Sequence, residues 1–160
     1  MCMDEPVVSR VQLPAVYGAP QDSPLLEWFS VAQRLTEALH YWVSTADPTG
    51  APISRPVDGN WIEDALYFGG DPKSRWRRNL AANRKVSVTL ENAENPVILE
   101  GAVEIVMPDE ELASLLAESA QAKYGWGSVE WFQQETCVLR PSQVMTWSGV
   151  FEHATKFTFS

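Results

Sequence analysis

Six of the chain's twelve lysines and arginines fall within thirteen residues: Lys73, Arg75, Arg77, Arg78, Arg84 and Lys85. Four of them occupy six positions, directly after the turn sequence Gly69-Gly70-Asp71-Pro72 and at the start of a predicted helix. Like charges packed this closely repel one another unless an anion comes to meet them. The free N–H groups at a helix start give an anion a second reason to settle there. Helical spacing puts Arg75 and Arg78 on one face and Arg77 nearer Lys73, so not all of them reach one ligand. Asn79 and Leu80 are read as anchoring the helix to a sheet. The competing reading is a solvated helix face, the commoner fate of a charge run. Gly69-Gly70 is either a plain turn or a point where backbone comes close to a ligand.

The rest of the composition narrows the ligand. The formal net charge is −9, with 21 acidic residues against 12 basic ones. This argues against general nucleic-acid or anionic-membrane binding, and a local basic cluster on such a chain points to a small anionic ligand. Cys2 and Cys137 are the two cysteines, and His40 and His153 the two histidines. That leaves no zinc spacing, no disulfide framework and no metal site, and it fits a reducing cytoplasm. His40, just before a strand, is read as structural. Neither a Ser-His-Asp order nor a paired-carboxylate motif stands out. No apolar run reaches the length of a membrane span, and the acidic start Met1-Cys2-Met3-Asp4-Glu5 is unlike a signal peptide.

At 160 residues the chain is long enough for one self-sufficient core. Residues 1–22, rich in proline and glycine and without periodicity, are read as an N-terminal arm, and 23–160 as a single domain. Ser23-Pro24 is a helix-start signature, followed by Leu25, Trp28, Phe29, Ala32, Leu35 and Leu39 at helical spacing over 24–39. Strands follow at 40–46 and 53–58, with the turn Asp47-Pro48-Thr49-Gly50 between them, and a third strand at 61–69 follows Asp58-Gly59-Asn60 as turn chemistry. After the basic helix, 85–91 alternates strictly and 97–106 continues as a strand. A helix over 108–123 opens on three acids, its buried stripe being Leu112, Leu115, Leu116 and Ala120. A short helical piece at 128–134 and strands at 136–140, 143–147 and 154–159 close the chain. Strands arranged in this way predict an antiparallel sheet or barrel with flanking helices.

Taken in order, the segments WVSTADPTGAPISRPV (42–57), ALYFG (65–69), KSRWRRNL (73–80), NRKVSV (83–88) and EGAVE (100–104) resemble the pyridoxamine 5′-phosphate oxidase-like, FMN-binding split-barrel superfamily. In that family the order strand, D-x-x-G-x-P, strand, S-R-K-x-x-N-L, x-N-P-x-V recurs. The resemblance implies a mainly β fold, a six-stranded antiparallel split barrel, working as a homodimer with a flavin at the subunit interface. By position it implies that Ile53, Ser54, Arg55, Pro56 and Val57 line the cofactor, with Arg55 reaching its phosphate. Phe68 and Gly69 meet the ribityl chain or ring, and Ser74, Arg75 and Arg78 complete the anion site, with Trp76 among them.

The chain departs from the family pattern at two points. Trp76 stands where the family has a phosphate-binding lysine, leaving Arg55 or Arg77 to compensate. Asn60 stands where pyridoxamine-phosphate oxidases place a basic residue, and their C-terminal substrate-binding arginine motif is not found, which argues against vitamin B6 oxidation. The segments CVLRPSQVMTW (137–147) and ATKFTF (154–159) resemble the branch of this fold that uses the deazaflavin coenzyme F420. The expectation is an FMN-dependent oxidoreductase acting on a small molecule. The alternatives are an F420-dependent reductase, a non-catalytic flavin- or haem-binding barrel, and a structural dimer.

Overall fold

A computed structural model describes residues 5–160; Cys2 and the first four residues of the arm lie outside that range. Among the described residues nine strands and four α-helices follow one another: β1 (Val7–Arg10), α1 (Trp28–Glu37), β2 (Tyr41–Ala46), β3 (Pro52–Val57), β4 (Gly59–Ile62), β5 (Ala65–Phe68), α2 (Arg75–Ala82), β6 (Lys85–Thr89), β7 (Val97–Val106), α3 (Glu110–Tyr124), α4 (Val129–Phe132), β8 (Thr136–Ser148) and β9 (Glu152–Thr158). All pairings are antiparallel, in the order β1-β9-β8-β7-β6-β2-β3, while β4 pairs β5 and β5 pairs β8. With β3 and β4 counted as one strand bent at Asp58, the path β2, β3/β4, β5, β8, β7, β6 returns to β2. This is the expected six-stranded split barrel, with β9 continuing the sheet along the second half of β8 and β1 beside it. The arm thus carries a strand: β1 pairs Val7 with Thr158 and Arg10 with Thr155.

The barrel interior is filled by alternating positions of its strands, among them Tyr41, Val43, Leu66, Val88, Leu99 and Leu139, all fully buried. A second cluster lies under α3, whose Ala113, Leu116, Ala117 and Ala120 pack on Ala65, Tyr67 and Val138. Asp109 caps α3 by accepting from the Leu112 N–H at 2.9 Å. α2 is fixed to β2 by Asn79, whose buried amide donates to Thr45 Oγ1 at 3.1 Å, and by buried Leu80. Both residues therefore anchor the helix as expected.

Three local readings are corrected. First, the helix starts at Trp28, and Ser23-Pro24 is not its cap. Ser23 Oγ accepts from the His153 N–H at 3.0 Å, and the Leu26 N–H donates to Thr155 Oγ1 at 2.9 Å, so 23–26 is tied extended along β9. The helix face is also shifted: Val31 and Leu35 are fully buried, whereas Phe29 is 77% exposed. Second, Gly59 and Asn60 lie in a strand, and the turn falls at Glu63-Asp64, with φ of 49° and 57°. A two-residue hairpin turn with both residues left-handed normally calls for Asn or Gly, so this one carries no sequence signal. Third, 136–148 is one strand, not two. Pro141 pairs with Gly101 where the register shifts, and an added Cβ on Gly101 would lie 3.0 Å from the Arg140 carbonyl oxygen.

These placements predict unequal costs along α1 and α2. Leu35→Ala should lower stability by about 2–5 kcal/mol, and Asn79→Ala by about 1–3 kcal/mol through its lost buried partner. Phe29→Ala should stay within about 0.5 kcal/mol. Chemical denaturation measures all three, and a loss at Phe29 equal to that at Leu35 would restore the helix face read from the sequence.

Candidate functional site

A cleft of about 690 Å³ opens between the β3/β4 junction, the end of β5 and the α3–β8 connection. Its volume is in the range of small-molecule sites. Of the expected site residues, Pro56, Val57, Phe68, Gly69 and Trp76 line it, and Ile53, Ser54, Arg55, Ser74, Arg75 and Arg78 do not. Trp76 stacks on Phe68 with ring centroids 5.8 Å apart and planes at 29°. A Cβ on Gly70 would fall 2.4 Å from Trp76 Cζ2, so here the close approach of the Gly69-Gly70 backbone is to this indole. At Gly69 nothing lies within 4 Å of an added Cβ.

The cations stand outside this cleft, around the start of α2. Ser74 is the N-cap, yet its Oγ is buried without a hydrogen-bond partner among the described residues. Arg75 is exposed, its Nη2 3.8 Å from Asp47 Oδ2 on the β2–β3 turn. That carboxyl is held below its usual range by the Thr49 hydroxyl, the Ala51 and Thr49 N–H groups and Arg75. Arg78 is exposed and donates to the Lys73 carbonyl at 2.7 Å. Arg77 points the other way. It is 7% exposed, lies over the Trp76 ring and donates to Gly70 O at 3.1 Å and Glu135 Oε2 at 3.3 Å. This occupied guanidinium is not a free replacement for the missing lysine.

β3 divides its five expected residues between two faces. Arg55 pairs with Val43 and Ile53 with Thr45, so these two and Val57 share the face of the buried side chains of β2, which α2 covers through Asn79 and Thr45. Ser54 and Pro56 take the opposite face, where Ser54 Oγ lies 2.6 Å from Ser44 Oγ. Arg55 is exposed, with Nη1 donating to the Ser54 carbonyl at 2.8 Å. The α2 start therefore gathers Ser74, Arg75 and Arg78, and Arg55 rises on the same side of the sheet. Exposed guanidiniums and the first-turn N–H groups of α2 suit a phosphate there, and the buried Ser74 hydroxyl, unpartnered among the described residues, would join them only by turning outward. Inside the cleft every lining charge is a carboxylate: Asp58, Asp71 and Glu135.

A polar knot next to the cleft escaped the sequence reading. Lys123 Nζ donates to Gly59 O at 2.7 Å and to Tyr41 Oη at 3.0 Å, and it lies over the Tyr41 and Tyr124 rings. The Tyr124 hydroxyl accepts from the Gly59 N–H at 3.0 Å, and Tyr41 Oη donates to Leu35 O. Burial lowers the Lys123 amine to about 8, against the raising effect of Asp58. A single lysine on the polar side of a predicted helix gave no signal of this. Among the described residues no group of His, Cys, Asp or Glu could hold a metal ion, and no helix is long and apolar enough to cross a membrane.

A family model described as pyridoxamine 5′-phosphate oxidase matches residues 30–147. No curated protein matches the sequence. Among solved structures, a conserved hypothetical protein of Mycobacterium tuberculosis is similar with a TM-score of 0.67 and 18% identity, covering 81% of this chain and 89% of its own. The haem storage protein HutZ of Vibrio cholerae aligns with a TM-score of 0.60 and 16% identity, over 78% and 97% of the two chains. An F420 reductase aligns with a TM-score of 0.52 and 22% identity, over 68% and 91%. At these identities the likeness is one of fold.

The depressed Lys123 pKa makes stability depend on pH in a defined sense. Between about 8 and 10.5 the unfolded chain binds more protons at this residue than the folded one, so its contribution to stability rises with pH. Cys137, pushed up to about 11 by burial, and the raised Tyr41 act oppositely from about pH 9 upward, as their unfolded forms ionise. The melting temperature of the native chain should therefore gain on that of Lys123→Met as pH rises from about 7 to about 9. A constant difference across that range would mean an amine of ordinary basicity.

Proposed function

Because the chain belongs to the pyridoxamine 5′-phosphate oxidase family, we propose that it is an oxidoreductase working with a flavin-type cofactor, FMN on the present reading. The observation that carries this is the start of α2. There the Ser74 hydroxyl, without a hydrogen-bond partner among the described residues, is followed by exposed Arg75 and Arg78, with Arg55 on the same side of the sheet, beside a cleft walled by Phe68 and Trp76. Arg55, Ser74, Arg75 and Arg78 would hold the phosphate, while Ile53, Val57, Phe68 and Gly69 would lie along the ribityl chain and ring. Ser54 and Pro56 would contribute through their backbone, since their side chains face the other way.

When bound, such a cofactor supplies hydride transfer, and the protein's part is orientation and electrostatics. Arg75 is available because its contact with Asp47, at 3.8 Å between exposed groups, is weak enough to be exchanged for a phosphate. Trp76 shields the Phe68 side of the cleft from water. The carboxylates lining the cleft disfavour a phosphorylated substrate, which sets the chain apart from pyridoxamine-phosphate oxidation. A homodimer in the cytoplasm is part of the same reading. It is supported by exposed Trp42, Ile105 and Met107. Coenzyme F420 is the second reading, favoured by the F420 reductase among the structural neighbours.

The absorption spectrum of freshly purified protein should show a bound flavin, and a deazaflavin spectrum would transfer the reading to F420. Titration of FMN against Arg55→Ala, Arg75→Ala and Arg78→Ala should show about a tenfold to hundredfold loss of affinity each, the worth of a charge-assisted hydrogen bond. Arg84→Ala, beyond the helix, should bind like the native chain. Equal affinities in all four would reduce the cluster to a solvated face, and binding without turnover of any reductant would leave a carrier instead of an enzyme.

A further inference from the structure

The end of the cleft away from α2 has its own chemistry. Trp126 stacks on Tyr124 and Phe132, with centroids 5.7 and 6.4 Å away, and meets Trp131 edge-on at 6.1 Å. Despite these contacts Trp126 is 39% exposed and Trp131 61% exposed, so indole surface is left open at the mouth. Asn60, on β4, is 4% exposed and lines the cleft, and its Oδ1 is buried with no hydrogen-bond partner among the described residues. A buried acceptor left unpaired is costly, and a ligand N–H would satisfy it.

The electrostatics select the sign of that ligand. Asp58, Asp71 and Glu135 line the cleft, and no lysine or arginine does. Arg77 turns to Glu135, and Lys123 is engaged with Gly59 O and Tyr41 Oη. Asp58 lies 3.9 Å from His40 Nε2, and Asp71 meets no cation among the described residues. Exposed indole surface and carboxylates attract the same partner, a cation, and a flat ring gains by stacking as well.

We infer that the Trp126–Trp131 end of the cleft binds a planar aromatic cation bearing an N–H group, an amidine or protonated aromatic amine, with the N–H on Asn60 and the ring over the tryptophans. As the substrate pocket of a flavin enzyme this assignment rests on the function proposed above; as a binding site it stands without it. The test is calorimetric titration of cofactor-free protein with three probes of the same shape: benzamidinium, benzamide and benzoate. Benzamidinium should bind about tenfold or more tighter than benzoate, with benzamide between them. Trp131→Ala and Asn60→Ala should each weaken benzamidinium severalfold. Trp131 is exposed enough to be removed without harm to the fold, so it decides the matter if Asn60→Ala does not fold. Equal binding of the three probes, no binding of benzamidinium, or an unchanged affinity in Trp131→Ala would overturn the inference. Arg78→Ala should leave benzamidinium binding intact while weakening FMN, so a failure of one reading is told from a failure of the other.

Discussion

The burial of one indole organises the α2 end of this barrel. Trp76 lies against Phe68 at the end of β5 and fills the space that a side chain on Gly70 would take. That contact sets the roll of α2 about its axis. With Trp76 inward, Arg77 is carried into the wall beside it, Asn79 reaches Thr45, and Arg75 and Arg78 are left facing water. With Asn79 and Leu80, the indole fixes the roll of a helix that carries three arginines in its first turn. The sorting of buried from available cations follows from packing, an apolar constraint imposed on charged neighbours.

The same packing accounts for the division between an aromatic, acid-lined cleft and a cationic corner outside it. A lysine in place of Trp76 would bring positive charge to the cleft wall; the indole brings a neutral surface and leaves Asp71 and Glu135 as the local charges. Glu135 is tied to Arg77, so the segment entering β8 is held to α2 across the cleft. The floor is held separately by Gly59, whose N–H and carbonyl are both taken by side chains of α3, Tyr124 and Lys123. Two independent clamps thus define the width of the opening.

The barrel was legible in the sequence where polar and apolar residues alternate, as in 85–89, and where turn chemistry is explicit, as at Asp47–Gly50. The ordered family motifs supplied the topology that local patterns cannot. Legibility ended where tertiary contacts override local preference. Ser23 has the chemistry of a helix cap, but β9 takes its hydroxyl, and Glu63-Asp64 adopts a left-handed turn that its residue types do not announce. The basic cluster was visible as composition, while the inward turn of Arg77 was not, because helical spacing gives angles and not the direction of the core. The face assignment of β3 needed its register with β2, a non-local fact that separates Arg55 from Ser54 and Pro56.

β3 is the last strand in the sheet order and carries Pro52 and Pro56. Proline is tolerated on an edge because its missing N–H is on the side away from the neighbouring strand. Residues two apart share a side, so of positions 52, 54 and 56 along the open border only Ser54 retains a donor. Another strand laid against this border would find too few hydrogen bonds to hold it. The barrel is thereby guarded against runaway edge-to-edge pairing, and whatever docks beside β3 must recognise it through side chains such as Arg55, not by extending the sheet.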